Sequence, residues 1–82
     1  MSWRINLSAD AHDQLDRLSD NDRGAVLDEL ASWVDDGPPF GRERYAAGRR
    51  LVEHQLDAGF IVIYFNHAPE DFVSIVYIGR PA

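Results

Sequence analysis

The stretch from Arg49 to Arg80, RRLVEHQLDAGFIVIYFNHAPEDFVSIVYIGR, constrains this chain more than any other. Three short runs rich in Val, Ile, Phe and Tyr alternate with two turn-forming clusters. That is the pattern of a three-stranded antiparallel meander. Asp57-Ala58-Gly59-Phe60 reads as the first hairpin, with Ala58-Gly59 as its central pair. Pairing outward sets His54 opposite Ile63 and Val52 opposite Phe65. Ala68-Pro69-Glu70-Asp71 closes the second hairpin, setting Phe65 opposite Ser74 and Ile63 opposite Val76. The two-residue period then predicts one face of Phe60, Val62, Tyr64, Val73, Ile75 and Tyr77. The other carries Val52, His54, Leu56, Ile61, Ile63, Phe65, Ser74, Val76, Ile78 and Arg80.

The residues before the meander read as its cover. Ser2–Leu7 alternates, with Trp3, Ile5 and Leu7 on one side, and predicts a short strand. Ser8 suits a helix N-cap, and Ala11, Leu15 and Leu18 recur at helical spacing, so a helix is expected over Ala9–Leu18. Ser19-Asp20-Asn21-Asp22 breaks it and caps a second helix. Val26, Leu27, Leu30, Trp33 and Val34 form that helix's apolar stripe. Gly37 is placed as its C-cap, and Pro38-Pro39 enforces the stop. Pro38–Gly48 is expected to be a loop, with Phe40 and Tyr45 among arginines. The fold class is therefore α+β, in the order β-α-α-β-β-β. A helix hairpin packs on one face of a mainly antiparallel four-stranded sheet, in a single domain spanning residues 1–82.

Both sheet faces read as apolar, yet a helix hairpin covers only one. An antiparallel sheet normally turns a polar face to water. A second apolar face implies a cover, either the 38–48 loop or another chain. At about 25 cal/mol per Å², covering several such side chains is enough to drive association. The preferred expectation is a protein partner or a homodimer.

Charge bounds the partners further. The net charge is −6, and residues 1–37 carry all of it. Gly41–Arg50 is the one basic stretch, with four Arg against one Glu. The acidic balance argues against non-specific nucleic-acid binding. There is no cysteine, so thiolate and disulfide chemistry are excluded. No apolar run is long enough to span a membrane and no leader pattern is visible, so a cytoplasmic location is the default. His54 carries an imidazole, a group suited to acid–base work, against the plainer reading of a packed edge histidine. Arg80 offers a phosphate contact. Arg42, Arg44, Arg49 and Arg50 suit RNA, DNA or an acidic partner segment, or a solvated loop. His12 and His67 lack ligand spacing, so no metal and no cofactor is expected.

Taken together, the WRINLSADAHDQLDRL opening, the long second helix ending at Gly-Pro, the DAGFIVIYF hairpin and the closing VSIVYIGR resemble the RelE/ParE superfamily of bacterial toxins. The resemblance covers nearly the whole chain. It implies helices on one sheet face and a working concave face opposite. RelE-like members bind messenger RNA at the ribosome and cleave it with basic residues and a tyrosine. ParE-like members inhibit DNA gyrase, and an antitoxin holds either kind inactive. By this alignment Val52 and His54 stand where the family has two lysines, and Ile61 where it has an arginine. Arg80 and Pro81 stand at its basic pair, and its C-terminal tyrosine has no counterpart before Ala82. His54 and Arg80 remain as catalytic candidates. Arg42, Arg44, Arg49, Arg50, Ile61, Ile63, Phe65, Val76 and Ile78 are the RNA- or partner-binding candidates. The expected function is the toxin-like component of a type II toxin–antitoxin pair, with a ribonuclease site short of key basic positions. Two alternatives stand beside it: a non-catalytic binding or dimerising module, and a ParE-like gyrase inhibitor.

Overall fold

Two serines start the helical layer. In a computed structural model, which describes residues 2–46, 48–67 and 70–81, Ser8 Oγ accepts the Ala11 amide at 3.1 Å and opens helix α1, Ala9–Asp16. Ser19 Oγ accepts the Asp22 amide at 3.2 Å and opens helix α2, Asp20–Asp36. Each satisfies an amide that a helix start leaves without an intrahelical partner. α1 stops at Asp16, short of the predicted Leu18. Gly37 ends α2 at a φ of 79°, where a side chain is strained. A Cβ there would also press on the Trp3 indole nitrogen at 2.8 Å. No described helix is long and apolar enough to cross a membrane.

Among the described residues five strands, rather than four, form one sheet. They are β1 (Arg4–Leu7), β2 (Arg42–Ala46), β3 (Arg49–Gln55), β4 (Ile61–Asn66) and β5 (Phe72–Gly79), in the order β1-β5-β4-β3-β2. β1 runs parallel to β5 and the remaining pairs are antiparallel. The added strand is β2, within the expected loop 38–48. Its Arg-Glu-Arg-Tyr run has no buried face to betray it. An edge strand tolerates such charge, and charge discourages pairing with a foreign sheet. Gly41 lets the chain enter β2 tightly against β3, since a Cβ there would meet Val52 Cγ1 at 2.9 Å.

The first hairpin corrects the expected register. Its loop has three residues, Asp57, Ala58 and Gly59, rather than two. The Leu56 amide donates to the Phe60 carbonyl at 2.7 Å, so Leu56 and Phe60 face each other. Gly59 closes the loop at a φ of 91°. His54 therefore pairs with Val62, and Val52 with Tyr64. A one-residue slip moves every side chain of β3 to the other face. Val52, His54 and Leu56 lie on the helix side, and Leu51, Glu53 and Gln55 on the open side. The second expected turn, Ala68-Pro69-Glu70-Asp71, falls partly outside the described residues. Phe65 does pair with Ser74, but further along Ile63 pairs with Tyr77, because Val76 is an extra residue in β5. This bulge turns Ile78 inward, to 2% exposure, and Tyr77 outward.

The core lies between the helices and one sheet face. Ala11, Leu15, Val26, Leu30 and Trp33 meet Leu56, Phe60, Val62, Tyr64, Val73, Ile75 and Ile78. Two side chains clamp the layers together. Glu29 of α2 accepts the amides of Asp57 and Ala58 at 3.0 and 2.8 Å. Gln14 of α1 accepts the Ile78 amide at 2.8 Å, just past the bulge. Tyr64 stands edge-on to Trp33, and its hydroxyl donates to the Pro39 carbonyl, which ties the segment after α2 to the sheet.

Two outcomes test this packing. Glu29→Ala leaves the hairpin amides to water and is expected to cost about 1–2 kcal/mol in urea unfolding, with Glu29→Gln losing less. Burial pushes the Tyr64 hydroxyl above its ordinary pKa of 10.0. The unfolded chain therefore sheds this proton first as pH rises. The stabilisation is whole below pH 10 and is lost as pH climbs through the folded value. Unfolding free energy measured from neutral to strongly alkaline pH is expected to fall more steeply for the wild type than for Tyr64→Phe.

Candidate functional site

The corrected register decides what the open face carries. Down its middle run Ile61, Ile63 and Phe65 of β4, each half-buried. On one side lie Leu51 and Glu53 of β3, then Arg44 and Arg42 of β2, which pair with them. On the other side lies β5 with Tyr77 and Ser74. No described element of the chain crosses this face. It is thus an apolar strip with polar flanks, more hydrophilic than the sequence suggests, because β3 contributes Leu51 and Glu53 in place of Val52, His54 and Leu56.

At the β4 start the face dips into a groove of about 510 Å³ lined by Arg44, Glu53, Ile61, Ile63, Tyr77, Arg80 and Pro81. Arg44 Nη1 donates to Glu53 Oε1 at 2.7 Å across the β2–β3 ladder. This pair is half-exposed, so it orients the carboxylate more than it stabilises the fold. The Tyr77 ring lies over Gly79, where an added Cβ would come within 2.6 Å of its Cζ. Glycine at this position therefore leaves the phenol room to lie along the sheet. Arg80 closes the end of the groove. Its guanidinium sits 4.9 Å above the Phe60 ring and 3.8 Å from Asp22 of α2. The groove thus combines a carboxylate, a phenol and two guanidiniums on an aliphatic floor. That set can accept a proton, donate one and hold a phosphate.

The sequence-derived candidates divide. Arg44, Arg80, Ile61 and Ile63 meet in the groove, and Arg42 stands on its rim opposite Glu53. Phe65 and Arg49 share the far end of the same face, with the Arg49 guanidinium 5.8 Å from the Phe65 ring. Val76 is the bulge residue, 36% exposed. Ile78 belongs to the core instead. Arg50 lies on the helix side, 3.4 Å from Glu43. His54 also turns that way: its Nδ1 donates to the Phe40 carbonyl at 3.2 Å and its ring stands edge-on to Trp33. The structure does not bring it to the groove. Glu53 and Tyr77 were missed as site residues. Only the loop length at Gly59 and the bulge at Val76 reveal their face.

The likeness to solved structures is extensive in space and slight in sequence. The chain is similar to a protein in the E. coli RelBE toxin–antitoxin complex, with a TM-score of 0.74 at 12% identity, covering 99% of both chains. It is similar to the archaeal RelE–RelB complex from Pyrococcus horikoshii, with a TM-score of 0.74 at 15% identity, over 98% of this chain and 96% of that one. The isolated E. coli RelE toxin matches with a TM-score of 0.74 at 12% identity, over 99% of this chain and 86% of that one. The fold is that of the RelE toxins. No protein-family model matches the sequence, and neither does any curated protein.

Gly79→Ala is expected to push the Tyr77 ring away from the sheet at little cost in stability, since only the far end of that one side chain has to shift. Aromatic NMR shifts and cross-peaks between the Tyr77 ring and Ile61 check the displacement; an unmoved ring contradicts the packing described.

Proposed function

We propose that this chain, built on the RelE fold, is the toxin of a toxin–antitoxin pair and that its open sheet face works on RNA. The observation that carries the reading is the groove at the start of β4, where Arg44, Glu53, Tyr77 and Arg80 line one cleft on the uncovered face. The fold likeness supports the same reading, because two of the similar structures are toxin–antitoxin complexes. The half-buried Ile61, Ile63 and Phe65 give an antitoxin segment an apolar track to cover.

The chemistry follows from the groups present. Glu53 takes the proton of a ribose 2′-hydroxyl, whose oxygen attacks the adjacent phosphorus. The bond from phosphorus to the 5′ oxygen breaks, and the Tyr77 hydroxyl protonates that oxygen as it leaves. The products are a 2′,3′-cyclic phosphate and a 5′-hydroxyl. Arg80 and Arg44 offset the negative charge that builds on the phosphate oxygens. Arg44 also keeps the Glu53 carboxylate aimed across the ladder. No lysine or histidine is required, and His54 plays no part in this scheme.

Inducing the chain alone in bacteria tests the proposal. Growth arrest with fragmented messenger RNA is the expected result. Glu53→Gln and Tyr77→Phe are each expected to slow cleavage by about a hundredfold or more while the folded protein accumulates normally. Full growth with intact messages at high expression of folded wild-type chain would refute it. Arrest with intact messages would move the target elsewhere, with DNA gyrase the next to assay by supercoiling.

A further inference from the structure

The far end of the open face carries a second feature that the groove chemistry does not use. Four planar or cationic side chains, from β1, β5, β4 and His67 just after β4, line up there, and β3 adds a fifth. The Arg4 guanidinium sits 5.0 Å from the Phe72 ring centroid. Phe72 lies 4.5 Å from the His67 ring, and His67 lies 4.6 Å from the Phe65 ring. The Arg49 guanidinium lies 5.8 Å from the Phe65 ring centroid. The order across the sheet is Arg, Phe, His, Phe, Arg, over three strand spacings or about 14 Å.

The row is held in place. The His67 backbone amide donates to the Phe72 carbonyl at 3.0 Å, and its Nε2 lies 2.8 Å from Ser74 Oγ. The imidazole is therefore fixed between the two phenyl rings. The rings are half-buried, so their remaining edges and faces are open. Among the described residues neither Arg4 nor Arg49 makes an ion pair. A stacked core needs no cation at each end, and a solvated charge patch needs no aromatic row. The two arginines occupy positions where a flat group stacks on phenylalanine, and each can swing to a phosphate when a base takes its place.

Electrostatics select the occupant. Residues 9–36, the helical layer, carry nine carboxylates against two arginines, a net −7. The open face carries Arg4, Arg42, Arg44 and Arg49 against Glu53. The molecule is polarised across its thickness, and an anionic partner is drawn to the open side despite the acidic total. From Ile61 in the groove to Phe65 in the row is four residues of β4, or about 13 Å. A few nucleotides of extended strand cover that distance.

We propose that the Arg4–Phe72–His67–Phe65–Arg49 row is a stacking subsite for single-stranded RNA, which seats the strand next to the cleaving groove. The choice of RNA rests on the functional reading above; the subsite itself does not require cleavage.

Fluorescence anisotropy with the purified full chain and a short, labelled single-stranded RNA tests this. The wild type is expected to bind it in preference to the same sequence as a duplex. Phe65→Leu and Phe72→Leu are each expected to weaken binding about fivefold or more. Arg4→Gln and Arg49→Gln are each expected to reduce the slope of log affinity against log salt by about 0.7. Arg17→Gln, on the helical layer, serves as the charge control and is expected to leave binding unchanged. Circular dichroism melts confirm that each variant is folded. Folded row variants that bind like wild type, equal affinity for the duplex, or displacement of the RNA by an acidic peptide at equal charge concentration would each overturn the subsite. A chain that binds by this row yet neither cleaves RNA nor arrests growth keeps the subsite and removes the toxin reading. Cleavage with no contribution from the row does the reverse.

Discussion

The backbone hydrogen bond between Leu56 and Phe60 governs the rest of the molecule. It closes the β3–β4 hairpin on three loop residues and so fixes which half of β3 meets the helices. With it, Leu56 completes the core beside Phe60, and Glu53 is left on the uncovered face. Glu29 then reaches over from α2 to hold the same loop by two amides. One turn thus ties the register, the packing of the layers and the composition of the groove to each other. A two-residue loop would have sent Val52, His54 and Leu56 outward and emptied the core at its β3 end.

Much of this was legible. The serine caps, the glycine at the end of α2, the three meander strands and the single covering layer all follow from local chemistry at Ser8, Ser19, Gly37 and the Val/Ile/Tyr runs. What was not legible has three physical sources. β2 is an edge strand exposed on both faces, so it lacks the periodicity that identifies a strand. The hairpin sequence Asp-Ala-Gly accommodates a two- or a three-residue loop, and the choice inverts a whole strand. A bulge leaves no trace in a continuous run such as Val-Ser-Ile-Val-Tyr-Ile-Gly. The hairpin and bulge errors fell on the site: they placed His54 on it and hid Glu53 and Tyr77. Charge was informative only after faces were assigned, since the acidic total masks a positive face.

That polarisation has a physical origin in the division of labour between the layers. The helices pack through Ala11, Leu15, Val26, Leu30 and Trp33 and give their remaining surface to carboxylates, which keep them solvated and suit their N-termini. The sheet's outer face needs the opposite sign to hold an anion. Its arginines are spaced along the flanks of an aliphatic strip. The strip excludes water and strengthens the interaction of each cation with whatever charge it meets.

The extra residue at Val76 divides β5 into two phases. Before it, Ser74 faces outward and Ile75 inward; after it, Tyr77 faces outward and Ile78 inward. The strand therefore serves the aromatic row with one phase and the groove with the other. A regular strand in its place needs one residue fewer: without Val76, Ile75 would still face inward, Tyr77 outward and Ile78 inward. The groove tyrosine therefore stands one position later in the sequence than alternation from Ser74 would place an outward residue, and counting by twos assigns it to the wrong face.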